Sequence, residues 1–458
     1  MGDNRNEDYL QKMINVLSQD LSFHNTDSSY ASHSFHPFPA KFPPQLPRKF
    51  ITELTAPNEI VLDPMVGSGT TILEASLLGR YGIGFDIDPL ALLISQVKVQ
   101  RFNKYQLDQI GNEIIKCAST SVEEDAENLA TELKNRWDLK TQEFIDYWFA
   151  PEIQIELLAL INEIEKITDD TIRAFFRLTF SSVIITKSGG VSYAFDLAHT
   201  RPHRAKVVIS QQGEILLGQD LEEKSSARIK LLTKKLRSPI TEFQNRLERN
   251  LNGLLEPAIF DEVASCIKHG DVQNLPLDNE STDLIVTSPP YASNAIDYMR
   301  AHKFSLVWLG YMIDELGQKR KEYIGGESLA GINFEGLPPK TQEVVRLVSQ
   351  KDKRKSRILH RYYSEMTCVL QEMFRVLKSG KAAIVVVGNS VWRGQSTETH
   401  TCIADIGESI GFHVAKIGVR NLDRNRRMLP MGFGSSQNSQ IQQRMHKDYI
   451  IGFYKPKV

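Results

Sequence analysis

The sequence predicts an α/β fold: an open, mostly parallel seven-stranded sheet with helices on both faces, plus a mostly helical insertion. Three observations carry this. Short apolar runs end on acidic or polar residues and lead into glycine- or proline-marked turns, as strands buried on both faces do. Two such runs precede a long interruption and five follow it. Between about residues 100 and 262 the strands give way to long, charged, amphipathic helices.

Length and composition set the bounds. A chain of 458 residues is long for one domain, so a core with a sizeable insertion or two domains is expected. A net charge of -1 and 41% hydrophobic residues fit a soluble globular protein and exclude a membrane or disordered chain. No run of about 18 apolar residues is present, so no transmembrane helix is expected. The start, MGDNRNEDYL, is polar and acidic and lacks the apolar stretch of a secretory leader. Cys117, Cys266, Cys368 and Cys402 are scattered without a CxxC pair, which argues against a zinc site or a disulfide framework. A cytoplasmic, nucleoid-associated protein without a metal is the expectation. With so little net charge, a nucleic-acid partner would need local basic clusters.

Residues 1–30 read as a polar, partly helical lead-in. The segment from His33 to Pro44 carries too many prolines for a helix or a central strand and is extended. Its rings and Lys41 either line a ligand pocket or clamp the segment onto the fold. Glu59–Asp63 reads as the first strand, followed by the loop Pro64–Thr71. A helix over Ile72–Arg80 takes Thr70 or Thr71 as N-cap. The second strand, Gly82–Asp86, ends on an acid, and Pro89 opens another helix. In such a unit the glycines admit a ligand close to the backbone, and an acid about twenty residues on can hold two ribose hydroxyls. A phosphate-binding P-loop would need a Lys after Gly69, and a dinucleotide loop a third Gly where Thr stands. An adenosyl ligand without a pyrophosphate fits best.

Within the insertion, helices are expected over Glu152–Lys166 and Ser226–Asn250. The cluster Arg201–Lys206, with Arg201 and Arg204, is a candidate phosphate contact. The sheet resumes at Ile267–Asp271, and the next strand, Asp283–Val286, ends in Thr287-Ser288-Pro289-Pro290-Tyr291. Two prolines stiffen this loop and remove two N–H donors, leaving a hydroxyl, free carbonyls and a ring at the carboxyl end of a strand. That end is where ligands bind in open α/β sheets. Tyr298–Met312 reads as a helix. The polar stretch to about residue 357, with Lys353 and Arg354 in its second basic cluster, reads as a mobile loop or small subdomain. A helix over Tyr362–Leu377 precedes the clearest central strand, Ala382–Val387. The last two strands, Phe412–Val419 and Asp448–Tyr454, could close an antiparallel hairpin. They flank the basic segment Arg420–Arg427, with Arg424 and Arg426, and a Gly/Ser/Gln-rich loop at 432–443.

Taken together, these motifs resemble the DNA amino-methyltransferases, which modify the exocyclic N4 of cytosine or N6 of adenine. Asp63-Pro64-Met65-Val66-Gly67-Ser68-Gly69-Thr70-Thr71 resembles that family's DPFxGSGTT cofactor loop. Gly84–Asp88 resembles the element whose first acid, Asp86, holds the ribose, and Gly270-Asp271 the segment that touches the adenine. Thr287–Tyr291 resembles the catalytic [DNTS]PP[YFW] loop, and His36–Phe42 the element closing over the methionine end of the cofactor. The resemblance implies a Rossmann-like methyltransferase sheet and S-adenosyl-L-methionine as cofactor. Its binding residues would be Phe38, Lys41, Asp63, Pro64, Gly67, Ser68, Gly69, Thr70, Asp86, Asp271 and Thr287. Ser288, Pro289, Pro290 and Tyr291 would be catalytic, acting on a base flipped out of double-stranded DNA.

In much of the family with this cofactor loop the catalytic loop comes first; here it comes second, and the insertion separates Asp86 from Gly270. Residues 1–100 and 263–458 would be two parts of one methyltransferase domain, with 101–262 an insertion able to recognise DNA. Ser at position 288 resembles the cytosine-N4 group, whereas Asp or Asn is commoner in adenine-N6 enzymes. Adenine-N6 or RNA base methylation and a non-catalytic DNA-binding regulator are the alternatives. A nucleotide hydrolase is disfavoured by the missing Lys, and carbon-5 chemistry by the lack of a Pro-Cys pair. A cognate restriction or defence system is a further partner that these residues leave open.

Overall fold

Seven apolar runs assemble into one sheet: β1 (Ile60–Asp63), β2 (Tyr81–Asp86), β3 (Cys266–His269), β4 (Thr282–Thr287), β5 (Leu377–Gly388), β6 (His413–Asn421) and β7 (Lys447–Tyr454). The structure is a computed structural model. It describes residues 3–39, 41–186, 190–195, 197, 202–218, 233–254, 265–292, 298–326, 334, 336–392, 395–422 and 447–457. The strand order is β6-β7-β5-β4-β1-β2-β3. The first five strands in the chain pair in parallel, and β7 lies antiparallel to both β5 and β6. The expected antiparallel pair is therefore present, with its second strand inserted inside the first.

Continuous apolar runs are needed because both faces are covered. Val61, Leu284, Val286, Ile384 and Ile450 face a layer containing Asp3–Leu17 and Gln45–Leu54. Their neighbours Leu62, Ile285, Val385 and Ile451 face the opposite layer, containing Lys353–Val376 and Thr399–Ile410. The period of two along each strand thus serves two cores at once.

The insertion contains helices Lys104–Glu124, Ala126–Arg136, Leu139–Trp148, Pro151–Glu165, Asp170–Ile184 and Pro239–Asn252. It also carries a small sheet of Ile215–Leu217, Val207–Ile209 and Thr233–Lys235. Its core is continuous with Leu90, Ile94, Phe304 and Trp308 of the main fold. Aromatic edges make the joint: Trp137 meets Trp308 at 5.1 Å, and Phe144 meets Phe304 at 5.1 Å.

Four local expectations need correction. The expected helix over Ser226–Asn250 is not continuous: residues 226–232 lie outside the described residues, Thr233–Lys235 is a strand, and a helix runs from Pro239 with the Ser238 side chain accepting from Thr241 N. Helix Thr70–Leu77 has neither threonine as N-cap; Gly69 holds that place at φ 76°. The helix from Tyr298 ends at Leu306, and Gly310 at φ 97° turns the chain beyond it. Among its described residues, the stretch expected to be a mobile loop or small subdomain is mostly helical and not a loop, over Ile313–Lys319, Pro339–Lys351 and the start of Lys353–Val376. Lys353, Arg354 and Arg357 of its basic run lie on the solvent face of a helix whose other face buries Ile358, Leu359, Tyr362 and Tyr363.

No described helix is long and apolar enough to cross a membrane. The four cysteines are free, and no cluster of metal-ligating side chains occurs among the described residues.

Candidate active site

From β1 the chain proceeds to β2 and β3 on one side, whereas β4 leads to β5 on the other. The crevice beyond the carboxyl ends of β1 and β4 is therefore the switch point at which open α/β sheets bind ligands. Asp63 ends β1 and Thr287 ends β4; Thr287 Oγ1 donates to Asp63 Oδ1 at 2.7 Å. Met65 N donates to the same oxygen at 3.2 Å, and Thr71 Oγ1 to the Val286 carbonyl at 3.2 Å. Burial pushes the Asp63 carboxyl up to about 6 against the opposing bond from Thr287.

A cavity of about 670 Å³ opens here, a size common for small-ligand sites. Phe38, Lys41, Asp63, Pro64, Gly67, Ser68, Thr70, Asp86, Asp271 and Ser288–Tyr291 all line it. Thr287 and Gly69 do not. Thr287 braces Asp63 from behind, and a Cβ on Gly69 would lie 2.9 Å from the Cα and Cβ of Ser95. Gly69 thus serves helix packing, a role the loop motif does not distinguish from ligand approach.

The Gly67 turn is fastened to Asp86. Gly67 N donates to Asp86 Oδ2 at 2.8 Å and Asp88 N to Oδ1 at 2.9 Å. Burial, followed by the charge of Asp88, pushes the Asp86 carboxyl up to about 7. Gly67 sits at φ 47°, and a Cβ there would meet the Phe38 ring at 3.4 Å. Asp88 caps helix Pro89–Lys98 through Leu90 N and Ala91 N. Its other oxygen receives His302 Nδ1 and the Tyr323 hydroxyl, each at 2.7 Å. Burial would raise the Asp88 carboxyl, but His302 and these donors hold it below its usual range.

Beyond Asp86, Gly270 N donates to the Asp86 carbonyl at 3.1 Å, and a Cβ on Gly270 would strike the Phe85 ring at 2.8 Å. This close approach brings the exposed Asp271 beside Asp86 on the cavity wall. Lys98 is buried behind the loop with Nζ on the Ser68 carbonyl at 2.7 Å, so it is a strut and not a phosphate ligand. A carboxylate wall, a cradle that a Cβ on Gly67 would narrow, and no cation in the Gly67–Thr70 turn fit an adenosyl ligand lacking a pyrophosphate.

Ser288–Tyr291 forms the opposite wall. Among the described residues nothing bonds to Ser288 Oγ, which leaves it open to the cavity. The Tyr291 hydroxyl donates to Asp448 Oδ1 at 3.3 Å, and Arg420 Nη2 lies 3.4 Å from Asp448 Oδ2. Arg420 and Asp448 are cross-strand partners in β6 and β7. Burial and the Asp448 charge push the Tyr291 phenol well above its usual range, so it remains a neutral donor and an aromatic surface.

The proline-rich segment serves both expected purposes. Buried Glu74 takes His33 Nε2 at 2.7 Å, the Tyr30 hydroxyl at 2.6 Å and Arg48 Nη1 at 2.9 Å. His36 Nε2 is 2.9 Å from Ser181 Oγ, and burial keeps its imidazole neutral. These contacts clamp the segment. Phe38 is thereby held stacked on Tyr298, centroids 5.1 Å apart, and Lys41 donates to the His33 carbonyl at 2.8 Å.

The candidate DNA contacts among the described residues, Arg204, Lys353 and Arg354, do not line the cavity. Arg204 lies over the Tyr147 ring at 4.2 Å and the Tyr193 ring at 5.0 Å. Lys353 and Arg354 are exposed in the first turn of their helix. Arg201, Arg424 and Arg426 lie outside the described residues, as does the 432–443 loop. Lining residues missed from the sequence include Tyr298, Arg300, Arg320, Lys321, Tyr323 and Lys355. Tyr298 and His302 at i,i+4, just after the proline loop, were the readable signal for one of these.

A family model described as DNA methylase, of the N6/N4 kind, matches residues 6–96. The chain is similar to Type II methyltransferase M.MvaI of Kocuria varians, 26% identical over 426 residues, covering 89% of this chain and 87% of that protein. It is also similar to Type II methyltransferase M.BsoBI of Geobacillus stearothermophilus, 24% identical, covering 89% and 85% of the two chains. Type II methyltransferase M.MjaII of Methanocaldococcus jannaschii is 24% identical, with coverages of 76% and 78%.

Proposed function

We propose that the chain is an S-adenosylmethionine-dependent DNA amino-methyltransferase that methylates the exocyclic N4 of cytosine within a specific site in duplex DNA. The observation that carries this reading is one cavity bounded by Asp86 on one wall and Ser288-Pro289-Pro290-Tyr291 on the other.

Bound S-adenosylmethionine supplies a methyl group made electrophilic by its sulfonium. The residues handle the rest. An exocyclic amine is a poor nucleophile because its lone pair is delocalised into the ring. Ser288 Oγ and the Pro289 carbonyl can accept its two N–H bonds, drawing the nitrogen towards a pyramidal geometry and freeing the lone pair. Tyr291, anchored through Asp448, offers its face to a base that has left the duplex. Asp86 and Asp271, both on the cavity wall, would receive ribose hydroxyls and the adenine edge. Alignment of amine and methyl can supply roughly 7–11 kcal/mol, and no covalent enzyme intermediate is needed.

The serine at position 288 supports cytosine through its likeness to the cytosine-N4 group. The names of the similar proteins support a role as the modifying partner of a Type II restriction system. In this reading residues 1–100 and 263–458 form the transfer machinery. The insertion, 101–262, contributes to DNA recognition, with Arg204 inside it and Lys353 and Arg354 outside it as phosphate contacts.

Incubation with methyl-labelled S-adenosylmethionine and duplex DNA, followed by nucleoside mass spectrometry, tests the proposal. N4-methylcytosine is the expected product. N6-methyladenine would overturn the cytosine assignment, label confined to tRNA would overturn DNA as substrate, and cofactor binding without transfer to either would favour the regulator.

A further inference from the structure

The roof of the cavity is built from a segment that no motif marks. After helix Ile313–Lys319 a short 3-10 turn, Arg320–Glu322, leads into Tyr323-Ile324-Gly325-Gly326. Gly325 at φ 72° bends the chain, and a Cβ on Gly326 would lie 3.0 Å from Arg361 Nη1. Tyr323 to Gly326 line the cavity beside Asp86, Asp271 and Val272, and Ile324 is buried in the same cluster as Val272.

Two residues one helical turn apart hold this strap by its backbone. Arg361 is 2% exposed and donates from Nη1 to the Gly326 carbonyl at 3.1 Å, and from Nη2 to the carbonyls of Lys321 and Tyr323 at 3.2 and 3.3 Å. Its Nε donates to Glu365 Oε1 at 2.7 Å, while Glu365 Oε2 accepts Gly325 N at 2.7 Å. The far edge is tied by the Tyr323 hydroxyl to Asp88, whose own N–H holds Asp86. A buried Arg–Glu pair is a poor source of stability compared with apolar side chains of the same volume. What this pair does that apolar residues could not is fix the strap's carbonyls and an N–H in one geometry.

We propose that Lys321–Gly326 is a fixed roof over the adenosine end of the cavity, and that Arg361 is a positioning residue that sets cofactor affinity through it. The proposal rests on the cofactor occupying this cavity against Asp86.

Equilibrium binding of S-adenosylmethionine to the full chain tests both levels. Arg361→Lys keeps a charge opposite Glu365 but cannot fork to three carbonyls, so the Kd should rise about tenfold, the loss of roughly one charged hydrogen bond. Tyr323→Phe cuts the other tie and should act in the same direction. The double variant should fall short of the product of the two, because both release one strap. Hydrogen exchange at the Gly325 amide should accelerate in Arg361→Lys, which a role confined to global stability would not produce selectively. If Arg361→Lys fails to fold, Tyr323→Phe and Gly326→Ala decide. Wild-type Kd in the folded strap variants, with Asp86→Ala weakened, would overturn the roof alone. Wild-type Kd in Asp86→Ala would instead overturn the cofactor placement beneath it.

Discussion

Lowering the pH from 8 to 6 should weaken cofactor binding about tenfold through one group, Asp86. Its carboxyl is pushed up from 3.8 to about 7 by burial and by the charge of Asp88. Tyr298, which lines the same cavity, is itself pushed upward by burial and by the charges of Asp86 and Asp88 and stays neutral over this range. Only the carboxylate can accept hydrogen bonds from two ribose hydroxyls, so binding in acid must first release a proton. The apparent Kd then scales as one plus the protonated-to-ionised ratio, about 11 at pH 6 and about 1.1 at pH 8 for a group titrating near 7. Stability runs the other way. A folded-state value above the unfolded one favours the protonated form, so the contribution is full below about pH 4 and is lost as the pH rises towards 7. Asp63, raised to about 6, adds in the same direction. The unliganded protein should therefore melt at lower temperature as pH rises from about 4 to 7 through these groups, while the cofactor-induced rise in Tm grows. Isothermal titration in buffers of different ionisation enthalpy reads the proton release directly. A Kd that is flat between pH 6 and 8, or a slope that survives Asp86→Asn, would refute the reasoning.

Three further outcomes follow from the proposed catalytic wall. Ser288→Ala removes one of the two acceptors offered to the amine and should lower kcat by about 100-fold or more, with cofactor Kd unchanged in a binding assay. Asp448→Asn keeps an acceptor for the Tyr291 hydroxyl and should chiefly raise the KM for DNA. Asp448→Ala also strips Arg420 of its carboxylate, and denaturant unfolding should register a loss of about 3–5 kcal/mol.

The sheet was legible in the sequence because burial on both faces leaves strands as uninterrupted apolar runs, and β4 and β5 are the clearest instances. The Gly67 turn, Asp86 and the proline loop were legible because their chemistry needs particular residue types at short spacing. Other elements were concealed by side chains in unusual places. Lys234 is buried in the strand Thr233–Lys235 with Nζ on the Ala194 carbonyl at 2.6 Å, so a core position reads as a charged helical face. The run Lys351–Arg357 has the composition of a loop because the solvent face of a helix and a loop demand the same residues; the apolar period starts only at Ile358. Tyr323 and Asp88 are separated by 235 positions, and no local pattern reports such a contact.

The pairing of β2 with β3 has a consequence for how the molecule matures. Asp86 stands opposite His269 in that pair, 183 positions away, with the whole insertion between them. The entropy of closing so long a loop grows only logarithmically with its length, but sheets made of such distant pairs form slowly. The proposed adenosine pocket, with Asp86 at the end of β2 and Asp271 just after β3, therefore forms only once these distant strands have paired. Ligand stabilisation at that pocket would be withheld from every species in which the two strands have not yet paired. In a mixture of folding intermediates, the cofactor acts as a late inspector, protecting completed molecules from proteolysis and leaving the rest exposed.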